Sequence, residues 1–215
     1  FGLKLNDQAI RIAVSLRLGA PVVHQHICLC GATVESTGYH GLHCQRSAGR
    51  QSRHANVNEI IQRAFVSAGV AAIREPSGLC SDDRRPDGLT LIPWARGKCL
   101  VWNFTCPDTI APSHVPSTSV SSGAAANSAE ALKAAKYADL ASLYEFAPIA
   151  IETLGSWGIQ GRKLIDELGG RIAAVTKEPR SAKFLRQRIA IAIQRGNAIS
   201  VLGTHRHLLG DEVIN

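Results

Sequence analysis

The sequence predicts an α/β or α+β sandwich, a small mixed sheet flanked by helices, with a compact cysteine- and histidine-rich module ahead of it. Three observations carry this expectation. Hydrophobic periodicity runs in the order helix, strand, strand, strand, helix, strand, helix, helix, which suits a sheet covered by helices. Arg85 to Thr105 reads as two strands joined by a Pro-Trp-Ala-Arg-Gly turn; Asp87 opens the first strand and Asn103 interrupts the apolar run of the second. Val22 to Arg50 holds four histidines and three cysteines among few apolar residues.

Taken in order, Ile10, Ala13, Val14 and Leu18 recur at helical spacing behind Asn6-Asp7, and Gly19-Ala20-Pro21 ends that helix. Val22 to Arg50 reads as loop. From Ser52, Val57, Ile60, Ile61, Ala64, Phe65 and Ala68 form one stripe, with Gly69 placed to terminate the helix. Val70 to Arg74 reads as a strand and Pro76-Ser77-Gly78 as a turn before the hairpin. Residues 107–128, rich in Pro, Ser, Ala and Gly, read as a mobile loop. Ser128 is then the expected cap of a helix through Tyr137. Phe146 to Ile151 is a further strand. Two helices close the chain, from about Arg162 to Val175 and from Ser181 to Val201, the latter with a core face of Ile189, Ile193 and Val201.

The 215 residues suffice for one ordinary domain with a small appendage, and no run of 18 apolar residues suggests a membrane span. The net charge of +7 and a pI near 9.4 favour a polyanionic partner, nucleic acid ahead of an anionic membrane surface. A chain that begins at Phe1 and contains no methionine reads as a piece of a longer protein. Six cysteines are too few for a disulfide scaffold at this length, so their spacing is what informs.

Cys28, Cys30, His40 and Cys44 supply the thiolates and imidazole that close a tetrahedral Zn²⁺ site, and Gly31, Gly38 and Gly41 permit the tight turns such a wrap needs. His24, His26 and His43 are rival ligands, with His43 the main substitute. Directly after the cluster come Arg46, Arg50, Arg53 and His54, cations suited to phosphate-backbone contact. Hydrolysis of a phosphodiester calls for a hard cation such as Mg²⁺ or Mn²⁺ on oxygen ligands. Asp87 and position 103 would face each other across the hairpin, Glu59 projects from the preceding helix, and Lys133 or Lys136 could orient water or steady the anion.

His40-Gly41-Leu42-His43-Cys44, Arg53-His54, Arg85-Pro86-Asp87-Gly88-Leu89, Leu100-Val101-Trp102-Asn103-Phe104-Thr105-Cys106-Pro107-Asp108 and Lys136-Tyr137 occur in that order. The set resembles the C-terminal region of the polyprotein of site-specific non-LTR retrotransposons. There a zinc knuckle precedes a restriction-like endonuclease of the PD-(D/E)XK class, downstream of a reverse transcriptase. The resemblance spans roughly residues 25 to 205. It implies a helical tail of the upstream region at 1–23, a zinc knuckle at 24–50, a restriction-endonuclease-like domain at 51–205 and a tail at 206–215. It implies zinc on Cys28, Cys30, His40 and Cys44, and a catalytic Mg²⁺ or Mn²⁺ at Asp87 and position 103, with Glu59 assisting. Lys136, and Lys133 after it, would replace the lysine usually found where this chain has Thr105. The activity implied is binding and nicking of target DNA to prime reverse transcription, in the nucleus. Arg46, Arg50, Arg53, His54 and Arg85 would hold DNA; element RNA and the upstream reverse transcriptase would be further partners. Asn103 departs from the family's Asp and removes a metal-holding charge. The expectation is therefore an impaired nuclease that keeps nucleic-acid binding or, alternatively, a non-catalytic binding remnant.

Overall fold

The computed structural model describes residues 3–205. The first helix, α1 (Asp7–Leu18), starts where Asn6 accepts a hydrogen bond from the Ala9 amide and stops at Gly19 in the left-handed region. The next segment is not the plain loop the sequence suggested. It folds as a short hairpin, β1 (His26–Ile27) with β2 (Thr33–Val34), and a single helical turn, α2 (His40–His43). These pieces are too short to hold themselves. Val22, Val23, Val34 and Leu42 pack with Ile12 and Leu16 of α1 against Ala198 and Val201 near the end of the chain.

The long helix α3 (Ala48–Ser67) begins four residues earlier than its apolar stripe indicated. It leads into the sheet: β3 (Ala72–Arg74), β4 (Gly88–Thr90), β5 (Leu100–Thr105) and β6 (Glu145–Ala150), in that spatial order. The first three strands are antiparallel and β6 joins β5 in parallel, so the sheet is mixed as expected. The parallel step needs a crossover, which α4 (Val115–Thr118), α5 (Ala124–Lys136) and the 3₁₀ turn Ala138–Ser142 provide. The segment 107–128, expected as a mobile loop, thus contains a helical turn and the start of α5. Gly123 precedes that start, and Ser128 lies inside the helix rather than capping it.

Two helices complete the chain, α6 (Ile159–Thr176) and α7 (Ser181–Leu202). Side chains of α3, α6 and α7 cover one face of the sheet, with Val57, Phe65, Leu164, Leu168, Ile189 and Ile193 packed on Leu100, Trp102 and Phe104. Val101, from the opposite face of β5, packs on Tyr137 and Leu140 at the end of α5. A strand covered on both faces is apolar throughout, and Leu100 to Phe104 are all buried. Asn103 is the polar exception in that run. The expected tail 206–215 lies outside the described residues.

Candidate metal centre and carboxylate cleft

Cys28 and Cys30 lie in the turn between β1 and β2, where the Cys28 amide donates to the Ala32 carbonyl and Gly31 takes a positive φ of 91°. His40 opens α2 and Cys44 closes it. The four ligand atoms all lie within 4.8 Å of one another. Cys28 and Cys44 Sγ are 3.7 Å apart, and Cys30 Sγ is 3.2 Å from His40 Nε2. A zinc–thiolate bond of ~2.3 Å makes the edge of a tetrahedral site about 3.8 Å, so the sulfur pair already has ligand spacing. A disulfide would bring the sulfurs far closer. This Cys₃His cluster can hold a metal such as zinc. Burial pushes the Cys44 thiol up to about 11, so uptake of a cation would displace a proton there.

Two of the rival histidines, His43 and His26, are engaged elsewhere. His43 Nδ1 lies 3.1 Å from Asp108 Oδ2, and the other Asp108 oxygen accepts from Thr153 Oγ1. His43 therefore ties α2 to the loop after β5. His26 meets Thr204 Oγ1 at 2.9 Å and stacks on His205.

A cleft of about 580 Å³ opens where the segment after Cys44 crosses the end of the sheet. Arg50 and His54 from α3, Arg74 from β3, Asp87 ahead of β4, and Thr105 at the end of β5 are among the residues lining it. Asp87 sits where the β4–β5 ladder loosens. Its amide donates to the Trp102 carbonyl, and its carboxylate accepts the Phe104 amide at 2.5 Å. The next residue must be glycine, because a Cβ at Gly88 would fall 1.9 Å from the Trp102 ring. The register that pairs Gly88 with Trp102 puts Asp87 beside Asn103. Asn103 is 3% exposed, and its Oδ1 is buried without a hydrogen-bond partner. An orphaned buried acceptor is costly, and its position beside a carboxylate marks a place for a cation or a proton donor.

His54 and Lys133 approach the same carboxylate. His54 Nε2 lies 3.2 Å from Asp87 Oδ2, and this bond raises the imidazole pKa against the opposing effect of burial. Burial lowers the Lys133 pKa, while the Asp87 charge acts to hold the ammonium in place. Lys136 instead stands 5.7 Å from the centre of the Tyr137 ring, and Tyr137 is buried with its hydroxyl donating to the Arg85 carbonyl.

Two expected site residues lie elsewhere. Glu59 faces away from the cleft and pairs with Arg63 one turn on, beside Arg188 and Arg195 of α7. Residues 54 and 58 line the cleft instead: His54 meets the carboxylate, and Asn58 Oδ1 accepts from the Trp102 indole. Arg53 is 2% exposed and donates to Asn197 Oδ1, so it joins α3 to α7 rather than presenting itself to a strand. Of the other cations, Arg46 and Arg50 are exposed and donate to the Leu29 and His43 carbonyls, and Arg85 pairs with Glu75 at the surface.

Two buried acids escaped the sequence reading. Glu130 accepts from the amides of Ala150, Gln160 and Gly161, holding the start of α6; Glu152 accepts from Ala125 and Ala126 at the start of α5. Both complement a helix N-terminus, a tertiary arrangement that leaves no local sequence signal. The chain matches no family model and no curated protein.

Proposed function

We propose that this chain is a zinc-stabilised nucleic-acid-binding unit built on a restriction-endonuclease-like core of the kind found in site-specific non-LTR retrotransposons, with a nuclease site weakened at Asn103. The observation that carries this reading is Asp87, which lines a cleft with His54, Arg50 and Arg74 and also has the unpartnered Asn103 Oδ1 beside it across the strands and the Lys133 charge within electrostatic reach. A carboxylate and a lysine beside a basic surface suit a phosphodiester. The arginines position the backbone and the lysine steadies developing negative charge. Asp87 and Asn103 would hold the divalent cation, whose contribution when bound is to polarise the phosphate and activate water. Both offer oxygen, as Mg²⁺ or Mn²⁺ requires, but only Asp87 brings charge.

Zinc would occupy Cys28, Cys30, His40 and Cys44, and hold the knuckle whose following residues lead Arg50 and His54 to the cleft. On this reading the partner is DNA, with element RNA and an upstream reverse transcriptase as further partners, and the site of action is the nucleus. Asn103 itself favours a second reading, a binding module without catalysis. The neutral amide leaves the cation one ligand charge short, and each ~1.4 kcal/mol lost from transition-state stabilisation is tenfold in rate.

Nicking of supercoiled plasmid in Mg²⁺ or Mn²⁺ decides between them. Asn103→Asp should raise nicking by about a hundredfold or more over the native chain, a gain abolished by a further Asp87→Ala. Robust nicking by the native chain would overturn the impairment. No gain in Asn103→Asp, with DNA binding retained, would leave the binding module as the function.

A further inference from the structure

A second cleft, of about 390 Å³, lies at the other end of β5, between the start of β6 and the end of α5 with its 3₁₀ turn. It exists because the sequence places Ala134, Ala138 and Ala141 along that helical edge, where larger side chains would close the space. Its opposite wall carries Tyr144 and Phe146. Phe146 stacks on the buried Tyr137, while the half-buried Tyr144 stacks on no ring and makes no hydrogen bond through its hydroxyl among the described residues.

Two cations stand at the rim. Lys98 Nζ donates to the Ala141 carbonyl at 3.0 Å, which leaves further N–H groups on its ammonium. Arg96 sits at the tip of a two-residue turn in which Ala95 pairs with Lys98, and its φ is +51°, followed by Gly97 at +72°. Asparagine or glycine suits that left-handed first position; an arginine there is held against its preference. The strain falls on the residue that supplies the cation, and such outliers collect at ligand contacts. Arg96 also forks onto Glu145, yet its side chain is 81% exposed.

We infer that this cleft is a nucleotide subsite for single-stranded nucleic acid, with a base stacked on Tyr144 and its phosphate held by Lys98 and Arg96. A half-buried aromatic ring that lines a cleft beside two cations is the combination that single strands recognise without sequence preference. The inference rests on the nucleic-acid reading of the chain for its partner but not on cleavage. Positions 98 and 103 are at most roughly 17 Å apart along extended chain, so a base here lies within two to three nucleotides' reach of the Asp87 cleft. The subsite would hold an unpaired strand away from the carboxylate rather than take part in its chemistry.

The test is fluorescence anisotropy of a labelled oligothymidylate on the intact chain at low salt, with an unlabelled duplex and free thymidine monophosphate as competitors. Tyr144→Ala should weaken single-strand binding about tenfold, and Tyr144→Phe should leave it within about twofold. Ala141→Phe, which fills the cleft from an exposed position, should weaken it as Tyr144→Ala does, and duplex binding should stay unchanged in all three. Oligothymidylate binding unaffected by both Tyr144→Ala and Ala141→Phe would overturn the subsite, as would absence of single-strand binding by the native chain. Competition by the free mononucleotide as strong as that of the strand would overturn the strand as its ligand. None of these readings depends on nicking by Asn103→Asp, so failure here is distinct from failure of the nuclease reading.

Discussion

The cysteine–histidine cluster and the Asp87 cleft flank the first half of α3, yet they are built by opposite means. The cluster draws its four donors from one short stretch, and the turns between them bring the ligand atoms within 4.8 Å. The carboxylate site draws Asp87 from just ahead of β4, Asn103 from β5, His54 from α3 and the Lys133 charge from α5. The first set is complete in type and number for zinc. The second has one carboxylate where a hard cation is best served by two, and the remaining acceptor, Asn103 Oδ1, is buried without a partner. The local site takes all its donors from one segment that α1 and α7 support, whereas a site assembled by the sheet inherits each change in each strand.

The largest expected effect tests the complete member of this pair. Cys28 and Cys44 are buried within the apolar cluster that joins α1, the β1–β2 hairpin and the end of α7. Cys44→Ser should reduce zinc content from about one ion per chain to near none and lower stability by several kcal/mol. That is less than the ~10 kcal/mol a structural zinc supplies to an isolated finger, because Val22, Val34 and Leu42 still pack. Elemental analysis with thermal melts, with and without chelator, measures both. Zinc-free native protein that melts at the same temperature with or without added zinc would remove the contrast.

The next effect separates structure from contact within the basic run itself. Arg53 is buried and bonded to Asn197, whose amide in turn donates to the Thr153 carbonyl; Arg50, three residues earlier, is exposed. Arg53→Ala strips a buried polar network of its charged member and should destabilise the fold by about 3 kcal/mol. Arg50→Ala should change stability by less than about 0.5 kcal/mol and instead weaken duplex binding with a shallower salt dependence. Chemical denaturation and anisotropy at two salt concentrations distinguish the two arginines. Equal, small effects on stability would place Arg53 at the surface after all.

How much of this was legible in the sequence follows the same division. The order of elements and the cluster could be read locally, because periodicity and spacing are local properties. The sequence favours His40 and keeps His43 as its main substitute. The single turn of α2 aims His40 at Cys30 and His43 at Asp108, a partner far along the chain. Glu59 was expected at the cleft on its helix position, but the face of α3 toward the carboxylate is set by how the helix rolls against α7. That roll brings residues 54 and 58 inward and leaves Glu59 with Arg63. His54 and Asn58, polar residues one turn apart beside the apolar stripe, were the available signal. The start of α5 was misplaced because no side chain caps it. Glu152, from beyond β6, accepts its first amides instead.

The smallest effect probes the incomplete site directly. His54 is held at Asp87, and that bond raises its pKa above the ordinary value near 6.5. A raised folded-state pKa means that the stabilisation is full below the unfolded value and is lost as pH rises through the folded one. Native protein with zinc retained and no other divalent cation added should therefore lose stability, relative to His54→Gln, as pH is taken from below the ordinary imidazole value to above the raised one. With the ring about half exposed, the difference should stay below ~1 kcal/mol. Denaturant midpoints at the two pH values measure it. The result bears on the comparison because His54 and the Phe104 amide already engage one Asp87 oxygen. A cation at Asp87 must share that carboxylate with the His54 ring, whereas at the cluster zinc competes with protons on its own ligands rather than with another side chain. A midpoint difference of the opposite sign would mean that Asp87 does not hold His54 charged. The carboxylate would then be open to a cation, and Asn103 alone would account for any weakness of the site.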